Sequence, residues 1–127
     1  MNNALNGRRQ LGAAGEADAV DHLRRAGYRI LERNLRSRFG ELDIVAQDGD
    51  CLVFVEVRTR RSRAMAPEES ITPAKGRRLA GLGMRYLQEH GLEEADWRID
   101  VIAIEQDALG NRLRLDHHIS AIEEAGA

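Results

Sequence analysis

The chain has 127 residues, 43% of them hydrophobic, which is enough to bury one core and too few for a second domain of ordinary size. Its net charge of −2 at pH 7 excludes a protein held on nucleic acid by overall positive charge. No long apolar run or basic-plus-apolar N-terminal signal is present, and the single Cys51 excludes a disulfide within the chain. We therefore expect one cytoplasmic domain spanning residues 1–127, with no membrane partner.

The first predicted element is a helix from about Arg8 to Ala26, where apolar residues recur at helical spacing. Glu16 lies within the apolar stripe of this helix, whose other members are Gly12, Ala13, Ala19, Val20 and Leu23. An acid on a buried helix face should have a function. The alternative is that Glu16 lies near the helix start, where the helix dipole favours a negative charge. The residues alone leave both explanations open.

Three strands are predicted next. Residues 28–36 resemble an edge strand, and residues 37–40 form a turn into a second strand. The dipeptide Asp48-Gly49 is a strong hairpin signal between the second and third strands. If these two residues form the loop, Asp43 faces Phe54 and Glu41 faces Glu56 across the ladder.

Side-chain alternation divides the predicted hairpin into two faces. One face is entirely apolar and is expected to be core: Leu42, Ile44, Ala46, Cys51, Val53, Val55 and Val57. The other face is apolar near the turn and charged away from it, where it collects Glu41, Asp43, Glu56 and Arg58.

Like charges facing each other across a ladder are destabilising, so this charged end needs compensation. Hard cations such as Mg²⁺ bind carboxylate oxygens and often use only one or two of them. The charged end therefore suggests a site for Mg²⁺ or Mn²⁺. The alternative is an acidic cluster at a wet end of the sheet, neutralised by neighbouring arginines.

The remaining elements complete an α-β-β-β-α-β-β order. Residues 61–71 are predicted to form a mobile loop, and Thr72-Pro73 starts a second helix that continues to Gly91. The buried stripe of this helix consists of Leu79, Leu82, Tyr86 and Leu87. Strands are expected at residues 97–104 and 113–118, with a turn at 107–111. This order predicts an α/β fold with a mixed sheet flanked by helices.

Asp100 lies in the middle of the strand predicted at residues 97–104. We expect it to be a structural acid paired with an arginine such as Arg98. The alternative is a position near the functional site.

Basic residues follow the acidic end of the hairpin directly and also open the second helix. They are Arg58, Arg60, Arg61, Arg63, Lys75, Arg77 and Arg78. Such a group could bind a phosphate backbone. It could also be a solvated surface in a chain rich in arginine, since every basic residue except Lys75 is an arginine. Because aromatic residues make up only 4%, we expect recognition through backbone and shape rather than base stacking.

These motifs together resemble the bacterial YraN family. The resemblance begins with Gly15-Glu16 in the first helix, continues through the strand Gly40-Glu41-Leu42-Asp43, and includes Val55-Glu56-Val57-Arg58 after the hairpin. Further matches extend it over nearly the whole chain: Gly27-Tyr28, Asn34, Thr59-Arg60, Pro73-Ala74-Lys75 and residues 97–101. That family is similar to the archaeal Holliday-junction resolvases and belongs to the PD-(D/E)XK superfamily. The resemblance implies a restriction-endonuclease-like fold.

The resemblance also implies roles for individual residues. Asp43 and Glu56 would bind Mg²⁺ or Mn²⁺ together with the Val57 carbonyl, Glu16 would bind or orient a metal-bound water, and Glu41 would lie just behind these ligands. Arg58 occupies the position of a lysine in the superfamily pattern. Arginine keeps its proton, so Arg58 could steady charge on a phosphate but could not act as a general base.

The function implied by the resemblance is a metal-dependent endonuclease that hydrolyses DNA phosphodiester bonds, with structured or branched DNA as substrate by analogy with the resolvases. The alternative is a nucleic-acid-binding module with the same fold and weak or absent hydrolysis, which the arginine at position 58 supports. A protein-interaction scaffold ranks last. Resolvase relatives act as dimers, which leaves a homodimer open for this chain.

Overall fold

The computed structural model of the protein describes residues 3–61 and 72–122, with side chains described for residues 14–61 and 72–121. The elements follow the predicted order: α1 (Asn3–Arg25), β1 (Arg29–Ser37), β2 (Gly40–Asp48), β3 (Cys51–Arg60), α2 (Pro73–Glu89), β4 (Asp96–Gln106) and β5 (Arg112–Ile122). The last strand is longer than predicted, because it continues past residue 118 through an irregular step at Ser120, whose φ is +53°. The loop predicted at residues 61–71 lies, from residue 62 onward, outside the described residues.

The five strands form one sheet in the order β1-β2-β3-β4-β5. Neighbouring strands are antiparallel except for β3 and β4, which are parallel and connected through α2. The predicted mixed sheet with flanking helices is therefore confirmed. Over residues 3–61 and 72–122, neither helix combines the length and apolar character needed to cross a bilayer.

Both faces of the sheet are covered. Ala19, Val20 and Leu23 of α1 pack on one face in a cluster that contains Ile44, Ala46, Val53, Val55, Ile102 and Ile104. The opposite face carries the predicted α2 stripe in a cluster with Leu42, Val45, Leu52, Phe54 and Ile99. The helix approaches closely at Gly83, where an added Cβ would lie 2.8 Å from the Phe54 ring. The sheet is thus the middle layer between two helices.

The β2–β3 hairpin has a different register from the predicted one. Asp48 pairs with Cys51 and Ile44 with Val55, so the two-residue loop is Gly49-Asp50 and not Asp48-Gly49. Gly49 has a φ of +59°, and glycine at the first loop position is what a type II′ hairpin turn requires. The predicted opposition of Asp43 to Phe54, and of Glu41 to Glu56, is therefore wrong. Extending the observed register by one pair brings Asp43 level with Glu56 instead.

A second departure is a break in side-chain alternation at Asp43. Leu42 packs in the α2 cluster and Ile44 packs in the α1 cluster, although residues two apart in a regular strand share one face. Leu42 therefore does not belong to the face predicted for it. The neighbouring strand is irregular at the same level, since Asn34, which lies between the pairs Arg33–Ile44 and Leu35–Leu42, has a φ of +52°.

Asp100 is the structural acid that the sequence predicted. Its side chain is fully buried and accepts hydrogen bonds from Arg98 Nε at 3.0 Å, His117 Nε2 at 2.8 Å and the Ser120 N–H at 3.0 Å. Burial acts to raise the pKa of Asp100, but the bonds from His117 and Arg98 outweigh it and the net pKa is lowered. His117 continues the chain to His22 on α1, at 3.1 Å between ring nitrogens. This network ties α1 to β4 and β5.

Replacing Asp100 with alanine should lower the free energy of unfolding by about 3 kcal/mol, because Arg98 and His117 lose a buried acceptor. Urea denaturation at pH 7 measures the loss. Asp116→Ala is the matched control, since the side chains of the Arg114–Asp116 pair are 41% and 42% exposed and losing the pair should cost under about 1 kcal/mol. Equal losses in the two variants would contradict a structural role for Asp100.

Candidate functional site

The position of Asp43 follows from the way β2 separates from β3. The paired positions of the two strands end at Ile44–Val55, whereas β3 continues beside β4 as far as Arg60–Glu105. The Val57 N–H on the vacated side of β3 donates to Asp43 Oδ2 at 2.8 Å. This hydrogen bond satisfies a backbone donor that the ladder has left unpaired and fixes the Asp43 carboxylate beside β3.

Glu56 is the second acid, and its side chain is 5% exposed. Its Oε2 lies 3.4 Å from Arg58 Nη1 on the same strand and 3.5 Å from Lys75 Nζ on α2. Lys75 is placed there by the start of the helix, where its N–H donates to the Thr72 hydroxyl at 3.1 Å and proline occupies the first turn. One buried carboxylate oxygen thus faces two cations.

Asp43 and Glu56 act on each other strongly. Burial and the neighbouring Glu56 carboxylate raise the pKa of Asp43 to about 8, against the lowering effect of the Val57 N–H. A proton on Asp43 relieves this repulsion near neutral pH, since ionising both carboxyl groups is costly. A divalent cation would remove the same repulsion more effectively than the proton does.

Glu16 reaches the same region from α1. The helix lies so close to β3 that a Cβ at Gly15 would collide with the Thr59 hydroxyl and force that side chain to move. Burial raises the pKa of Glu16, and Glu16 in turn contributes to the raised pKa of Asp43. Its Oε1 is buried and has no hydrogen-bond partner among the described groups. An orphaned carboxylate oxygen of this kind is suited to a water molecule or a cation.

The structure brings together Glu16, Asp43, Glu56, Arg58 and Lys75, but it places Glu41 elsewhere. The charge of Glu41 contributes to the raised pKa of Glu16. Glu41 Oε1 lies 3.8 Å from Arg36 Nε. The shift in hairpin register and the break in alternation at Asp43 together account for this displacement. A supporting role for Glu41 behind the metal ligands stays a prediction.

The predicted phosphate-binding residues fall into three groups. Arg60 and Arg61 are exposed beyond the site, and Arg77 and Arg78 are exposed on the first turns of α2. Lys75 is only partly exposed and faces Glu56 rather than open solvent. Arg63 lies outside the described residues.

The oxygen atoms at the site decide whether it could hold a divalent cation. In the described part of the chain, no three or more His, Cys, Asp or Glu residues are arranged to hold a metal ion. The available protein ligands are the two carboxylates and the Val57 carbonyl, which suits Mg²⁺ because that ion keeps several waters and uses few carboxylates. The raised pKa of Asp43 and the orphaned Glu16 oxygen agree with such a cation.

Sequence reasoning missed two features of the site. Lys75 was expected to contact phosphate, not Glu56, and the one available signal was its place in the first turn of a helix with a proline start. The second feature is the break in alternation at Asp43, which no charge or apolar pattern in the sequence signals.

Comparison with known proteins gives a consistent family. The sequence model described as "Uncharacterised protein family UPF0102" matches residues 15–104, a segment that contains Glu16, Asp43, Glu56 and Lys75. A UPF0102 protein of Symbiobacterium thermophilum is 50% identical over 107 residues, covering 84% of this chain and 90% of that protein. One of Chloroflexus aurantiacus is 48% identical over 119 residues, covering 92% and 96%. One of Roseiflexus castenholzii is 48% identical over 126 residues, covering 95% and 100%.

Asp43→Asn should stabilise the metal-free protein at pH 8 by about 1 to 2 kcal/mol, or roughly 3 to 8 °C in Tm, because it removes the like-charge pair and keeps an acceptor for Val57. The pH dependence gives the sign. Between pH 3.8 and about 8 the unfolded Asp43 has lost its proton and the folded one keeps it, so this residue makes stability fall as pH rises and level off above pH 8.

The measurement is thermal unfolding in EDTA at several pH values between 5 and 9, with Asp116→Asn as an exposed control. The difference in Tm between Asp43→Asn and wild type should grow with pH. A difference that is constant or shrinks with pH would contradict the raised pKa of Asp43.

Proposed function

The chain belongs to the uncharacterised protein family UPF0102, and for this member we propose metal-dependent hydrolysis of phosphodiester bonds in DNA. The observation that carries the proposal is the buried pair Asp43–Glu56, in which crowding raises the pKa of Asp43 to about 8. A carboxyl group with a strongly raised pKa beside a second acid and two cations is typical of a functional site. The ordered motifs that resemble the YraN family and the PD-(D/E)XK nucleases support the same reaction.

The residues that would hold Mg²⁺ or Mn²⁺ are Asp43, Glu56 and Val57. The N–H and C=O of one strand residue point to the same side, so the Val57 carbonyl faces the side on which its N–H meets Asp43. A divalent cation at this position supplies charge neutralisation and a lowered pKa for water. Water would add to phosphorus as the bond to one sugar oxygen breaks, which leaves a terminal phosphate and a terminal hydroxyl.

Lys75 and Arg58 present different kinds of positive charge to the site. Both cations face Glu56 Oε2, but a guanidinium spreads its charge over a planar fork, whereas an ammonium is a compact charge with three freely rotating donors. We assign to Arg58 the stabilisation of negative charge on the phosphate. Lys75, from α2, takes the role of the motif lysine near the attacking water. Glu16 orients that water through its orphaned oxygen.

The exposed arginines would position the DNA backbone. Arg60 and Arg61 continue from β3 beyond the site, and Arg77 and Arg78 lie on α2 beside Lys75. Phosphate contacts of this kind fix orientation and carry no sequence information. Structured or branched DNA is the proposed substrate class, by analogy with the resolvases that the family resembles.

A second candidate is a DNA-binding module that does not cut. It is favoured by Arg58 at the lysine position and by the absence of a three-residue metal-binding group in residues 3–61 and 72–122. Binding without cleavage in every divalent metal, unchanged by Glu56→Gln, would support it.

The direct test is cleavage of four-way, duplex and single-stranded DNA with Mg²⁺ or Mn²⁺. We expect cleavage that falls at least about 100-fold in Asp43→Ala and Glu56→Ala, because each removes a metal ligand. Asp116→Ala is the control and should cut like wild type. Activity that survives both site substitutions would remove the proposal.

Lys75→Arg should lower the cleavage rate by about 10- to 100-fold and leave DNA affinity within about twofold, because the charge is kept and the compact ammonium donor beside Glu56 is lost. Arg77→Lys on the adjacent exposed position is the matched control. Measuring single-turnover rate and affinity separately distinguishes the two effects. An equal loss of affinity and rate would assign Lys75 to DNA binding alone.

A further inference from the structure

Phe39 is an exposed aromatic side chain held in a fixed turn. Among the Phe, Tyr and Trp residues, all of which the structure describes, it alone is exposed, at 45%. The Phe39 N–H donates to the Ser37 hydroxyl at 3.1 Å, and that hydroxyl donates to the Gly40 carbonyl at 3.3 Å. Gly40 has a φ of +142° and lies so near Leu82 that a Cβ would be 3.1 Å from it. The turn between β1 and β2 is thus fixed against α2.

Two guanidinium groups lie against this ring. Arg85 of α2 has its central carbon 3.7 Å from the ring centroid, and Arg38 of the turn lies at 4.9 Å. Both arginines are exposed, so the stack is presented to solvent rather than buried. Arginine and aromatic rings together are the groups on which unpaired nucleobases stack in proteins.

A pocket adjoins the stack between β1 and α2, with a volume of about 140 Å³. Arg85 lines it, so one side chain joins pocket and stack. Its apolar lining includes Leu35, Leu42 and Leu82, and its polar lining includes Glu32 and His90. An apolar lining with a few polar groups is typical of a small-molecule site.

The stack is continuous with the candidate metal site along α2. Lys75, Arg78 and Arg85 are three and seven residues apart in succession, which places them along one side of the helix. Arg78 approaches the turn, since a Cβ at Gly40 would lie 3.9 Å from its Cδ. The ten residues from Lys75 to Arg85 correspond to about 15 Å of helix axis, or roughly four nucleotides of one DNA strand.

We propose that Phe39, Arg38, Arg85 and the adjoining pocket form a binding site for an unpaired nucleotide of DNA. The base stacks on the Phe39–Arg85 pair at the pocket mouth, and the cations hold the flanking phosphates. The inference rests on the proposed function and deepens it, because it requires a substrate with an unpaired segment about 15 Å from the cleaved bond. The low aromatic content of the chain is no obstacle, since one exposed ring suffices for one base.

The test is binding of a short oligothymidine that carries one 2-aminopurine, measured in EDTA so that no cleavage occurs. Phe39→Leu should weaken binding about tenfold and lose the stacking quench of 2-aminopurine fluorescence, without changing the dependence of affinity on salt. Phe39→Trp should bind within about twofold of wild type. Arg85→Lys should weaken binding about threefold, because it keeps the charge and loses the planar stack.

Leu109→Ala is the control, since Leu109 is an exposed apolar residue, 87% accessible, in the turn after β4. It should bind like wild type. Two results would contradict the inference. Phe39→Leu could bind single strands as tightly as wild type, or it could lose as much affinity for fully paired duplex as for single strands. In either case the ring does not hold an unpaired base.

Failure of this inference is distinguishable from failure of the nuclease proposal. In one outcome, Asp43→Ala loses metal-dependent cleavage, whereas Phe39→Leu keeps both cleavage and single-strand binding. This result would overturn the nucleotide site alone. No cleavage by any variant, together with the expected loss in Phe39→Leu, would overturn the nuclease and leave the nucleotide site supported. No binding of any single strand would overturn the nucleotide site.

Discussion

The main electrostatic constraint on the structure is the crowding of two buried carboxyl groups, Asp43 and Glu56. Burial and mutual repulsion make it costly to ionise both. Three neighbouring features reduce that cost: the Val57 N–H on Asp43, and Lys75 and Arg58 on Glu56. Each comes from a specific arrangement of the fold, namely the separation of β2 from β3, the capped start of α2, and the continuation of β3 beside β4. The remaining repulsion is what a proton or a divalent cation relieves.

Asp100 shows how the same fold treats an acid with a purely structural role. It is buried completely, yet donors from an arginine, a histidine and a backbone N–H surround it, so its net pKa is lowered. Asp43 has a single backbone donor and an acidic neighbour, so its pKa is raised. Burial is common to both residues, and the partners decide the direction. The contrast separates an acid that completes a network from one that leaves room for an exogenous charge.

Much of the fold followed from local signals. Helical spacing, the Thr72-Pro73 start and strand alternation predicted the element order and the mixed sheet. The register of the β2–β3 hairpin did not follow, because Asp48-Gly49 and Gly49-Asp50 are both acceptable loops and only the complete sheet selects between them. Glu41 was misplaced for a second reason, since the side-chain alternation of β2 breaks at Asp43 and was assumed to be regular. Lys75 contacts Glu56 because α2 packs on the sheet, and no spacing in the sequence predicts that contact.

If the crowded carboxyl pair is a cation site, Mn²⁺ should bind there in a crystal and be visible through its anomalous scattering. We expect one anomalous peak within about 2.2 Å of carboxylate oxygens of both Asp43 and Glu56, with waters in the remaining positions. A crystal exposed to Mn²⁺ that shows no peak there, with Glu56 paired only with Lys75 and Arg58, would contradict a cation site.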